Sequence, residues 1–179
     1  RHRIRTVIQV TLSADNFTSL GAIADFCLSL PRLYGVIFLA YKPVGRGTVF
    51  ARPLSALDAR LVSTTLNTLF HRLCSKMWVG YDCCIAPALA YGENRAGFVR
   101  EEYLEGCSAL RSSMALTPHL DVIPCSFLPE CKIGNLHVSS PDRIWQSAQA
   151  AAFRDTLQDH AEEACSACSL RHACLGGCP

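Results

Sequence analysis

"VIQVTLSADNFTSLGAIADFCLSLPRLYGVIFLA" occupies Val7–Ala40, and its changes of period set the fold class. In Val7–Leu12, Ile8, Val10 and Leu12 alternate with Gln9 and Thr11, the period of a strand with one buried face. "SADN" (Ser13–Asn16) offers capping residues, and Phe17, Leu20, Ala24, Cys27 and Leu28 then fall on one helical face until Pro31 ends it. "GVIFLA" (Gly35–Ala40) is a short continuous apolar run, expected of a strand buried on both faces. "YKPVGRG" (Tyr41–Gly47) reads as a turn. A second amphipathic helix is expected over Ser55–Cys74 and a strand over Met77–Tyr81. Strand, helix, strand, helix, strand is the grammar of βαβ units, so the class is α/β with a parallel sheet.

The rhythm stops after Tyr81. Residues 82–106, with "AYGENRAGFVREEYLEG" (Ala90–Gly106), are polar and read as a connection between a first domain, 1–81, and a second, 107–179. In the second, "RSSMALTPHLDVIPC" (Arg111–Cys125) predicts two short strands around a turn at Pro118–Asp121. "SPDRIWQSAQAAAFRDTL" (Ser140–Leu157) predicts one helix, capped near Ser140 with Pro141 in its first turn, turning Trp145, Ala148, Ala152 and Phe153 inward.

Half the residues are hydrophobic and 18% are charged, so the 179-residue chain can bury a core. A net charge of +2 with both signs interspersed gives no case for nucleic acid. No apolar run approaches the ~20 residues that span a bilayer, and the N-terminal segment does not read as a signal peptide.

Cysteine is the outlier, at eleven. An odd count and long apolar segments argue against a secreted disulfide scaffold and for metal binding in a cytoplasmic protein. Cys165, Cys168, Cys174 and Cys178 are spaced C-x2-C-x5-C-x3-C, which ordinary loop packing does not require. Soft thiolates suit iron–sulfur clusters, and Gly176 and Gly177 let the backbone bring Cys178 round. Four cysteines also satisfy tetrahedral zinc, so zinc stands as the alternative. Cys27 and Cys74 read as small core residues. "DCC" (Asp82–Cys84) reads either as a ligand or substrate-facing thiol or as a buried strand end. His172, inside the cysteine loop, reads as solvent-facing beside Arg171, with metal ligation as the alternative.

With Cys107 and Cys125, the terminal motif resembles the cysteine pattern of the SPASM domain, the C-terminal extension of many radical S-adenosylmethionine (radical SAM) enzymes. "CSFLPECKIGN" (Cys125–Asn135) and "IWQSAQAAAFRDTL" (Ile144–Leu157) are similar to that family's second cysteine with its Gly-Asn and to its Trp-containing helix. Residues 1–81 resemble the later strands of the radical SAM partial (β/α) barrel. The resemblance implies a barrel half followed by a small cysteine-rich α+β domain with up to two auxiliary [4Fe–4S] clusters. Cys107, Cys125 and Cys178 would serve the first cluster and Cys165, Cys168 and Cys174 the second. Cys131 is the nearest candidate for a fourth ligand of the first, with Cys83 or Cys84 behind it. Gly45 and Arg46, after a barrel strand, become candidates for the S-adenosylmethionine site, and Lys42 has no stronger claim. The implied partners are a peptide or protein substrate and an electron donor.

Three departures qualify the resemblance. The family's glycine five residues before its second cysteine is Leu120 here. No further cysteine follows the terminal motif to complete the second cluster. The C-x3-C-x2-C motif, whose cluster cleaves S-adenosylmethionine, is absent from these residues, so this chain alone is not expected to perform that cleavage. The expectation is the C-terminal portion of a longer enzyme. The alternative is a non-catalytic, zinc- or cluster-stabilised module that binds a peptide.

Overall fold

The computed structural model describes residues 4–49, 52–85, 88–89, 106–159, 166 and 171. The chain divides into two compact units, 1–104 and 105–179.

The first unit is a three-stranded parallel sheet in the order β1 (Thr6–Leu12), β2 (Leu33–Ala40), β3 (Trp78–Tyr81). Helix α1 (Leu20–Ser29) connects the first two strands and α2 (Ala59–Cys74) the last two. Ile8, Val36 and Val79 lie in one row of the sheet and Val10, Phe38 and Tyr81 in the next. Phe38 and Tyr81 stack with ring centroids 5.6 Å apart. Against this face pack Leu20, Ala24 and Cys27 of α1 and Val62, Leu66, Leu69 and Leu73 of α2, forming the core. Burial pushes the Cys27 thiol up, as suits an inert core residue.

The other face carries Gln9, Thr11, Ile37, Leu39 and Trp78, and it is exposed or half-buried. The expectation that Gly35–Ala40 is buried on both faces is therefore corrected. Strands added in one direction through right-handed crossovers put both helices on the same face, and the second face is left without one among the described residues. The Trp78 indole lies across Gly80, where a Cβ would come within 2.7 Å of the ring.

Local chemistry moves the element ends. Asn16 does not cap α1: it ties back to the strand exit, accepting from Ser13 N at 2.9 Å and donating to Thr11 O at 2.8 Å. A 3-10 turn at Phe17–Ser19 precedes the helix. Helix α2 starts at Ala59, not Ser55, because the Asp58 carboxylate accepts from Leu61 N at 3.0 Å and fixes the first turn there. Cys74 is corrected too: it ends α2 exposed, away from the Leu66–Leu69–Leu73 face.

The second unit contains a small antiparallel sheet, β4 (Ala115–Leu116), β5 (Asp121–Ile123) and β6 (Gly134–Asn135). Two helices follow, α3 (Pro141–Trp145) and α4 (Ala148–Asp159), where the sequence predicted one. Ser140 caps the first, and Ser147 Oγ accepts from Ala150 N at 3.2 Å to start the second. That break resets the helical phase. Ile144, Ala150 and Leu157 are buried and Trp145 and Phe153 half-buried, while Ala148 and Ala152 face outward, contrary to expectation. No described helix is long and apolar enough to cross a membrane.

Candidate functional site

Cys107 is buried at the start of the second unit, with Ala109 and Leu157 around it, and Cys125 packs against the same apolar group. The segment after Cys107 folds tightly on itself: Ser108 O accepts from Arg111 N, Ser112 N and Ser113 N at 3.1–3.2 Å. Arg154 of α4 braces this loop, donating to Leu110 O at 2.6 Å and to Trp145 O at 2.7 Å, with its guanidinium 4.9 Å from the Trp145 ring centre. The position of Cys107 is thus tied to the helix that leads into the terminal cysteines.

Cys125 follows β5 and opens two successive turns, Leu128 N to Cys125 O at 3.0 Å and Cys131 N to Leu128 O at 3.1 Å. In the first turn Phe127 N–H points at the Cys125 sulfur at 3.5 Å. An amide aimed at sulfur tunes the potential of any iron bound to it. Cys131 is half-buried and packs against a neighbouring group, Leu110, Val122, Ile133, Ile144 and Ala150. Phe153 adjoins both groups. Cys107 and Cys125 therefore share one apolar group, and Cys131 packs in a neighbouring one. Among the described residues no three His, Cys, Asp or Glu side chains converge as a metal group. Cys165, Cys168, Cys174 and Cys178, with His172, lie outside the described residues.

The hairpin that delivers Cys125 depends on residues whose role only the fold reveals. Asn135 Nδ2 donates to His119 O and to Asp121 Oδ1, both at 3.0 Å, and its Oδ1 accepts from His137 N at 2.8 Å. Lys132 pairs with Asp121 at 2.8 Å. The Lys132 hydrogen bond first, then that of Asn135, holds the Asp121 carboxyl below the usual carboxylate range against the opposing effect of burial. Gly134 has no room for a side chain, since a Cβ would meet Ile144 Cγ1 at 2.9 Å. The hairpin turn is closed by Leu120 at φ +60°, a left-handed conformation that suits glycine. Leu110 adopts φ +52° while fully buried.

Residues 107–169 match the SPASM family model, an iron-sulfur cluster-binding domain. The SPASM match begins at Cys107, encloses Cys125, Cys131, Cys165 and Cys168, and stops before Cys174 and Cys178. It is consistent with the C-terminal part of a radical SAM/SPASM enzyme. The apolar setting of Cys107 and the amide donor on Cys125 suit thiolate-held iron within the SPASM span. No curated protein and no solved structure matches the chain.

The first unit gathers polar residues at the carboxyl ends of its strands, where open α/β sheets bind ligands. Gly45, at φ +54°, begins a 3-10 turn after β2, and Arg46 in that turn is exposed. Lys42 and Asp82, which the sequence did not mark as a pair, meet at 2.8 Å and are mostly buried. Asp82 also accepts from Ala40 N at 3.2 Å. Burial works against the Lys42 ammonium, but Asp82, with Cys84, holds its pKa above the ordinary lysine value. The readable signal was a charged residue one or two positions past a strand end.

Proposed function

We propose that this chain is the C-terminal portion of a radical SAM/SPASM enzyme whose second unit holds auxiliary [4Fe–4S] clusters that support radical modification of a peptide or protein substrate. The observation that carries this reading is Cys107 and Cys125 packed into one apolar group within the matched span, with the Phe127 amide on the Cys125 sulfur. Cys107, Cys125 and Cys178 hold the first cluster, with Cys131 as its fourth ligand, and Cys165, Cys168 and Cys174 hold the second. When bound, such a cluster supplies one-electron transfer at a potential set by its charge, its hydrogen bonds and its exposure. The chain's own contribution is placement. Arg154 fixes the Cys107 loop, Phe127 N–H donates to the Cys125 sulfur, and Leu157 and Phe153 pack around the buried Cys107 group.

In this reading the first unit is the later part of the partial barrel. Sequential strand order with both helices on one face supports it, because a barrel needs every helix outside. Gly45 and Arg46 then face the S-adenosylmethionine end of the sheet, and the partners are a peptide substrate and an electron donor in the cytoplasm.

The test is iron, sulfide and zinc content of the full chain reconstituted without oxygen, beside Cys107→Ala/Cys125→Ala and Cys165→Ala/Cys168→Ala/Cys174→Ala variants. Iron and sulfide near two four-iron clusters, falling by about half in each variant, are expected. Zinc without sulfide, or metal content unchanged in both variants, would overturn the assignment and favour a zinc-stabilised binding module.

A further inference from the structure

The vicinal cysteines after β3, outside the ligand set proposed above, have a geometry of their own. Ile85 N donates to Asp82 O at 3.0 Å, which makes Cys83 and Cys84 the two corner residues of a turn. Along a strand, consecutive side chains point to opposite faces. At this corner both thiols turn the same way, with Sγ atoms 4.0 Å apart. The turn is anchored on both sides. Ile85 is 1% exposed in the core, and Asp82 is held by Phe38 O, Ala40 N and Lys42.

We propose that Cys83 and Cys84 form a two-thiolate binding site for a soft, thiophilic metal ion of low coordination number, with Cu(I) as its probe. A separation of 4.0 Å is too wide for a disulfide bond of ~2.05 Å. It is the span of two metal–sulfur bonds of about 2.3 Å meeting at roughly 120°. The Asp82 carboxylate is committed to Lys42 and Ala40 N, and the described residues offer no third His, Cys, Asp or Glu ligand. Tetrahedral zinc and oxygen-seeking cations are therefore poorly served, whereas Cu(I) accepts few soft ligands. Lys42, which hydrogen-bonds Cys84, places a positive charge where binding leaves thiolate charge. Both cysteines are half-buried at the carboxyl edge of the sheet, so an ion can reach them.

The test uses the full chain, reconstituted with iron and sulfide so that cluster-binding thiols are occupied. It is titrated with Cu(I) against a competing chelator, beside a Cys83→Ser/Cys84→Ser variant. The unaltered chain is expected to take up one more Cu(I) than the variant, with equal iron and sulfide, and Lys42→Met is expected to weaken that ion about tenfold. X-ray absorption at the copper edge should show a sulfur-only shell. Equal Cu(I) uptake by chain and variant would overturn the proposal. So would loss of iron from the variant, because the pair would then be cluster ligands; retained iron with equal Cu(I) uptake leaves the SPASM reading standing. Single serine variants, each followed by circular dichroism, decide the matter if the double variant does not fold: each must abolish the same one ion.

Discussion

The two units solve the same problem with different means. The first aligns strands of seven, eight and four residues and buries a core that runs from Leu12 to Ile85. In the second, the strands are two, three and two residues long, and the described core consists of two small groups around Leu110 and Cys107. In the first, one sheet face packed by two helices supplies a continuous apolar core. A small core of the second kind needs a staple, and its sequence supplies thiols where apolar residues would otherwise be required. The difference suggests that the fold of the second unit and its cofactor are one thermodynamic system.

Removing iron is the largest test of that contrast. A chelator applied without oxygen should abolish the melting transition of the second unit and leave that of the first nearly unmoved, as followed by calorimetry. A single shared transition unaffected by chelation would erase the distinction. Next comes the first unit's dependence on its apolar core. Leu66 is fully buried between α2 and the sheet, and Leu66→Ala should cost about 3 kcal/mol in urea unfolding with iron content unchanged.

The hairpin sharpens the comparison from the other side. At an ordinary position alanine is more favourable than glycine, but at φ +60° the order should reverse. Leu120→Gly should be about 1 kcal/mol more stable than Leu120→Ala by denaturant unfolding. The smallest effect is electrostatic. The Asp121 carboxyl is held below its unfolded value of about 3.9, so its contribution is present above that pH and is lost as pH falls through the lower folded-state value. An acid titration should show the second unit loosening in that window, and Asp121→Asn should flatten that part of the curve.

How much of this was written in the sequence differs between the units as well. Ile8, Val10 and Leu12, then Leu20, Ala24 and Cys27, each gave their element and its buried face, because local period is all that a strand or helix in a βαβ unit needs. The exposure of the second sheet face was not legible, since it follows from where the crossovers go. Nor was the Lys42–Asp82 pair, whose partners are forty residues apart and meet only through parallel pairing. In the second unit the Trp-containing helix read as continuous because nothing in "IWQSAQ" forbids a helix; the break comes from Ser147 taking the capping role. Leu120 was visible as a departure from the SPASM pattern, and its backbone angle explains why glycine suits that place.

The chain holds two tryptophans, and the fold gives one to each unit. Trp78 lies half-exposed across Gly80 on the open face of the parallel sheet, and Trp145 sits beneath the Arg154 guanidinium near the Cys107 loop. Their emission should separate, the more exposed indole redder and the other quenched by energy transfer to any iron–sulfur chromophore close by. Trp78→Phe and Trp145→Phe thus make the molecule its own two-channel fluorimeter, with each half reporting on itself.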